Sequence, residues 1–169
     1  EDRLAEQHLV EMQTRQAQLK QDPYQGWSLL MVAAWRGQED IVARLLAQGV
    51  AVDQRDEDGY TALMRAAWQG HVNILEQLLA RGAQVDAVQT QNKSALALAA
   101  EQGRIEAVRL LVKRRADVNA RAEDDATPLL LAVRNRHTDI ARLLLEIGAD
   151  PNVVNRAGET ALHLAVRNS

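Results

Sequence analysis

Apolar residues along this chain fall into two short stretches that recur together every 33 residues. The first stretch of each period is dense in Ala and Leu, as in Thr61-Ala62-Leu63-Met64-Arg65-Ala66-Ala67-Trp68. The second is amphipathic: in Val72-Asn73-Ile74-Leu75-Glu76-Gln77-Leu78-Leu79, apolar residues recur at i, i+1, i+4 and i+5, which marks one buried helical face. Ser or Thr precedes every first stretch (Ser28, Thr61, Ser94, Thr127, Thr160), where its hydroxyl can accept the orphan N–H groups of a helix start. Pro128 suits a first helical turn, which needs no N–H partner. Polar segments such as Asp53-Gln54-Arg55-Asp56-Glu57-Asp58 join one period to the next.

Three turn series keep the same 33-residue step without insertion: Gly26, Gly59, Asn92, Asp125, Gly158; Gly37, Gly70, Gly103, Arg136; and Gly49, Gly82, Arg115, Gly148. Neither predicted helix is long enough to be stable alone, so the apolar faces must be buried by stacking one unit on the next. The pairs Ala33/Ala34, Ala66/Ala67 and Ala99/Ala100 leave room for close approach between neighbouring first helices.

Gly59-Tyr60-Thr61-Ala62-Leu63, Gly158-Glu159-Thr160-Ala161-Leu162-His163-Leu164-Ala165 and Leu144-Leu145-Glu146-Ile147-Gly148-Ala149-Asp150-Pro151-Asn152 resemble the ankyrin repeat consensus. The resemblance covers about residues 23–169. It implies an all-α solenoid of stacked helix-turn-helix units with projecting β-turn or hairpin fingers. The expected organisation is one domain over 1–169, with full repeats at 23–55, 56–88, 89–121 and 122–154 and a partial repeat at 155–169. Residues 1–22 read as a capping helix whose outer face has become polar, with a partner-binding helix as the alternative. At the other end the second helix of unit five is missing, so either the native chain continues or the last helix frays. Glu1 in place of Met points to trimming at the front. Arg115 and Arg136 stand in glycine slots, where a Cβ makes positive φ costly, so the loops of the second half are expected to depart from the family's shape. Asn92 and Asp125 tolerate that region better.

Composition narrows the function. The chain has 28 Ala and 23 Leu but no Phe and no Cys, which excludes disulfides, thiolate metal sites and a Cys nucleophile. No apolar run reaches the roughly 18 residues of a membrane span. A net charge of −3 makes no general case for nucleic acid. The basic group Arg104, Arg109, Lys113, Arg114, Arg115, Arg121 is interrupted by Glu106 and Asp117 and has no interleaved aromatics. It reads as solvated surface, with a patch for an acidic partner as the alternative. No phosphate-binding glycine loop and no nucleophile elbow occur. His71 and His137 lie two repeats apart, too far to share a metal, and His163 takes the family's Thr-x-x-His position. The acidic groups Glu39/Asp40, Asp56/Glu57/Asp58 and Glu123/Asp124/Asp125 are accounted for by solvation and by helix-dipole complementarity. The expectation is a non-enzyme without cofactor or metal, monomeric by itself.

Only five residues are aromatic: Tyr24, Trp27, Trp35, Tyr60 and Trp68. In ankyrin repeats the partner-facing positions are mainly those beside the turn glycine and those ending the first helix. Carried over, the resemblance implies contacts from Tyr24, Trp27, Trp35, Arg36, Tyr60, Trp68, Gln69, Lys93, Glu101 and Arg134, on a concave face. All the aromatics then belong to units one and two. Alternatively, Trp35 and Trp68 pack on each other and on Arg36 or Arg65 as filler between units. The expected role is a protein-binding module, with an aromatic anchor in the first two repeats and charges in the next two that tune orientation. An inhibitor or immunity-type protein blocking a co-produced enzyme is a second possibility, and a fragment of a longer scaffold array a third. An excess of 17 Arg over 3 Lys points to a GC-rich bacterial genome. The residues suit the cytoplasm or, behind a removed leader, the periplasm or secretion.

Overall fold

Residues 23–169 are described in a computed structural model; the expected capping helix of residues 1–22 lies outside them. Among the described residues there are nine helices and no strand. Each unit begins with a seven- or eight-residue helix: α1 Leu29–Trp35, α3 Ala62–Gln69, α5 Ala95–Glu101, α7 Pro128–Arg134 and α9 Ala161–Arg167. A nine-residue second helix follows in four of them: α2 Glu39–Ala47, α4 Val72–Ala80, α6 Ile105–Lys113 and α8 Thr138–Glu146.

The helix starts form where the Ser/Thr series placed them. The hydroxyls of Ser28, Thr61, Ser94, Thr127 and Thr160 each accept the N–H three residues on, at 3.2–3.4 Å. At Thr160 the bond is reciprocal, because the Thr160 N–H donates to His163 Nδ1 at 3.1 Å. The imidazole closes a capping box there.

First helices stack on first helices and second helices on second helices, giving two layers. The first layer is the tighter one, and its small residues explain why. Ala66, Ala67, Ala99 and Ala100 are fully buried, so backbones approach across methyl groups and Leu63, Leu96 and Leu129 fill the space between layers. Where α9 has no second helix beside it among the described residues, a groove of about 650 Å³ opens against α8.

Polar bonds repeat in the same register as the packing. His71 Nε2 donates to the Trp35 carbonyl at 3.1 Å, Arg104 Nε to Trp68 at 3.0 Å and His137 Nε2 to Glu101 at 3.0 Å. A carbonyl only accepts, so each imidazole carries its hydrogen on Nε2. Each of these side chains lies over the turn glycine of the preceding unit: a Cβ on Gly37 would meet His71 at 2.8 Å, and one on Gly103 would meet His137 at 2.6 Å. Between fingers, Asp53, Asp86 and Asn119 accept the N–H groups of Gln84, Asp117 and Asp150 at 2.9–3.1 Å. The fingers are hydrogen-bonded turns rather than hairpins, with one isolated bridge, Val88 to Ser94.

The loops of the second half do not depart from those of the first. Asn92, Asp125, Arg115 and Arg136 adopt φ of 59–64°, in the left-handed region that the equivalent glycines occupy at 70–99°. Stacking fixes the turn, and the side chains bear the cost.

Three substitutions test this. Arg115→Gly relieves positive φ at an exposed position and should stabilise the fold by about 0.5–1 kcal/mol in denaturant titration. Gly82→Ala, with open space around the new Cβ, should cost about 1 kcal/mol. Gly103→Ala must also displace the His137 ring from its carbonyl and should cost about 2–3 kcal/mol.

Candidate protein-binding surface

In each unit the turn delivers one side chain alongside the end of the first helix. In units one, two, three and five, the residue before the helix N-cap and a residue in the last turn of the helix, eight positions later, form a facing pair. In unit one the pair is Trp27 and Trp35, edge to face with ring centroids 5.7 Å apart. In unit two it is Tyr60 and Trp68, at 6.4 Å. In unit three it becomes an ion pair, Lys93 Nζ to Glu101 at 2.9 Å, and in unit five Arg167 to Glu159 at 2.5 Å. Unit four has Ala126 in the first slot, too short to reach, and Arg134 turns instead to Asp124 at 2.9 Å. One backbone geometry therefore carries two chemistries, aromatic in units one and two and ionic beyond.

The aromatic pairs join across the unit boundary. Trp35 and Trp68 lie 6.2 Å apart, and Tyr24 packs on Trp27 at 5.4 Å, so all five rings form one continuous chain. Each is half-buried. The Tyr60 hydroxyl accepts a hydrogen bond from Gln89 Nε2 at 3.2 Å, which satisfies its polar end.

The centre of this cluster is a residue outside the ten expected contacts. Arg65 is only 8% exposed. Its guanidinium carbon stands 3.7 Å from the Trp27 ring centre and 3.9 Å from that of Tyr60. Its Nη2 donates to Asp56 Oδ2 at 2.5 Å. Asp56 is not a solvated turn acid, as its run of acidic neighbours implied: its side chain is 4% exposed, and Oδ1 accepts the N–H groups of Asp58 and Tyr60. The periodicity held a signal for this. In the 33-residue frame Arg65 aligns with Val32, Leu98, Leu131 and Leu164, so it is the one charged residue in an apolar slot.

Of the ten expected contact residues, Tyr24, Trp27, Trp35, Tyr60 and Trp68 come together, Lys93 and Glu101 pair with each other, and Arg134 pairs with Asp124. Arg36 is exposed, with no ion pair among the described residues, and Gln69 is half-buried beside Trp68. Trp35 and Trp68 do pack on each other, but Arg65 lies on Trp27 and Tyr60 instead.

The members of the basic group lie in different surroundings. Arg104 bonds the Trp68 carbonyl, Arg109 lies 3.6 Å from Glu106 and Arg121 lies 3.7 Å from Asp125, while Lys113, Arg114 and Arg115 are exposed at the end of α6. Among the described residues no three acids or histidines are placed to hold a metal ion, and no helix is long and apolar enough to cross a membrane.

Stacked helix pairs, a 33-residue register of caps and turns, and ring-over-glycine joints define a helical repeat solenoid. The chain belongs to the ankyrin repeat family: a family model for ankyrin repeats matches it in three overlapping copies, over residues 4–89, 30–122 and 96–169. Ankyrin repeats are generally protein–protein interaction modules and typically non-catalytic. No curated protein is significantly similar to the chain.

The Asp124–Arg134 pair is the ionic slot most open to a direct test. Burial works against ionisation of Asp124, but the Arg134 hydrogen bond, the Ala126 N–H and the Arg134 charge outweigh it and hold the carboxyl below its ordinary 3.8. A lowered folded value means that ionised Asp124 contributes stability above the unfolded carboxylate range, and that this contribution is lost as pH falls through the folded value. Both side chains are more than a third exposed, so the effect on stability is small. Arg134→Ala should move the Asp124 titration midpoint upward, as read by carboxyl-carbon NMR shifts.

Proposed function

We propose that the protein is a non-catalytic binding module whose partner, a protein, is anchored by the aromatic seam of units one and two. The observation that carries this reading is the placement of every aromatic residue in one half-buried chain of rings. The buried core is built from Ala, Leu, Val, Ile and Met; Trp27, Tyr60 and Trp68 pack against it from outside, and all five rings keep part of their surface in solvent. Trp and Tyr are the residues that dominate interface energetics, because they bury large area at low entropic cost and keep a polar end. The anchor comprises Tyr24, Trp27, Trp35, Tyr60 and Trp68, with Arg36 and Gln69 beside it.

Lys93, Glu101 and Arg134 extend the same row of slots with charge. Paired within their own units, they give little net attraction but set the local field, which bears on orientation and association rate.

The test begins with affinity capture by the wild-type protein from cells of its source, followed by titration of the purified partner. Trp35→Ala and Trp68→Ala should each weaken binding by roughly 1–3 kcal/mol. Each also removes ring contacts worth about 0.5–1.5 kcal/mol beyond the area the ring buries, so binding is titrated where both variants are fully folded and their unfolding is measured beside it. Losses in thermal stability as large as the losses in affinity would identify the tryptophans as packing between units and sink the anchor.

A further inference from the structure

We propose that Arg65 is an internal ligand of the aromatic seam, a positioning residue that holds Trp27 and Tyr60 in place by seating its guanidinium between their faces. The starting point is the mismatch between the residue and its slot. Val32, Leu98, Leu131 and Leu164 occupy the same helical position in the other units, and Leu98, Leu131 and Leu164 are fully buried. Burying a cation where a leucine fits carries a desolvation penalty that a leucine avoids, so stability alone gives no reason for arginine here. Geometry supplies one. A planar guanidinium can stack on two rings at once while its edge bonds a carboxylate, which neither leucine nor lysine can do.

All three contacts are made. The ring centres of Trp27 and Tyr60 lie 3.7 and 3.9 Å from the guanidinium carbon, and Asp56 holds Nη2 at 2.5 Å. Asp56 is itself fixed by the N–H groups of Asp58 and Tyr60, so the carboxylate belongs to the turn that carries one of the rings. Trp27 comes from the turn of unit one, and Tyr60 and Asp56 from the turn of unit two. Arg65 therefore couples two fingers through one cation. Its Nε is buried without a partner, which fits a plane set by the two rings and Asp56 rather than by full hydrogen bonding.

The test uses the whole chain without any partner and reads near-ultraviolet circular dichroism of the indoles beside far-ultraviolet helix signal. Arg65→Leu should keep the helix signal and lose about half or more of the indole bands. Asp56→Asn keeps a carbonyl oxygen for the two turn N–H groups but removes the charge, and should lose a smaller share. Arg65→Ala should recover indole bands on adding guanidinium chloride far below denaturing concentration, with no recovery in sodium chloride. Unchanged indole bands in both Arg65→Leu and Asp56→Asn overturn the proposal. So does a loss that merely tracks the helix signal, or a guanidinium recovery that is absent or matched by sodium. If Arg65→Leu fails to fold, Asp56→Asn decides. The functional weight of Arg65 rests on reading the seam as the anchor, and the two fail separately. Intact binding in Trp35→Ala would remove the anchor, while the indole spectra would still decide the positioning role.

Discussion

How closely one first helix can approach the next governs the rest of this structure. Helices of seven to nine residues do not hold together in water by themselves. They persist here because methyl groups at Ala66, Ala67, Ala99 and Ala100 let backbones lie near enough for the leucines between layers to be sealed from solvent. The same closeness brings His71, Arg104 and His137 within reach of the preceding unit's carbonyls and turns finger carboxylates into caps for the next finger's N–H groups. It also forces Arg115 and Arg136 into a left-handed backbone that an arginine does not favour.

Nearly all of the fold was legible in the chain, because periodicity turns many weak local signals into one strong one. Five Ser/Thr caps, three turn series and the alternation of Ala-rich and amphipathic stretches each predict little singly. In a common 33-residue frame they agree on one stacked arrangement. The loops of the second half were misjudged for a definable reason. Intrinsic preference argues against positive φ at Arg115 and Arg136, but the stack on either side fixes the turn, and a local cost of this size yields to it.

The candidate surface was legible in part. Slot arithmetic placed five rings in two adjacent units, and they do form one chain of contacts. It did not show that the slots eight residues apart face each other, nor that their partnership changes from ring–ring to ion pair at unit three. Arg65 was foreseen only as a packing partner for Trp35 or Trp68, and its true place on Trp27 and Tyr60 was hidden for another reason: side-chain direction at a helical position follows from packing, and Arg65 reaches a ring in the neighbouring unit that no sequence spacing brings close. Asp56 was hidden likewise, since an acid flanked by Glu57 and Asp58 looks solvated until its cation is found.

The joint made by a ring or guanidino chain lying on a glycine bears on the order of the units. Gly37, Gly70 and Gly103 present a bare backbone on which His71, Arg104 and His137 rest, whereas unit four carries Arg136 at that place. The units are therefore not interchangeable. A rearranged array that set unit four beneath unit two or three would push a Cβ into the ring or chain that must lie there. The sequence thus bars unit four from the places beneath units two and three, through the single Cβ that Arg136 carries where the other three have glycine.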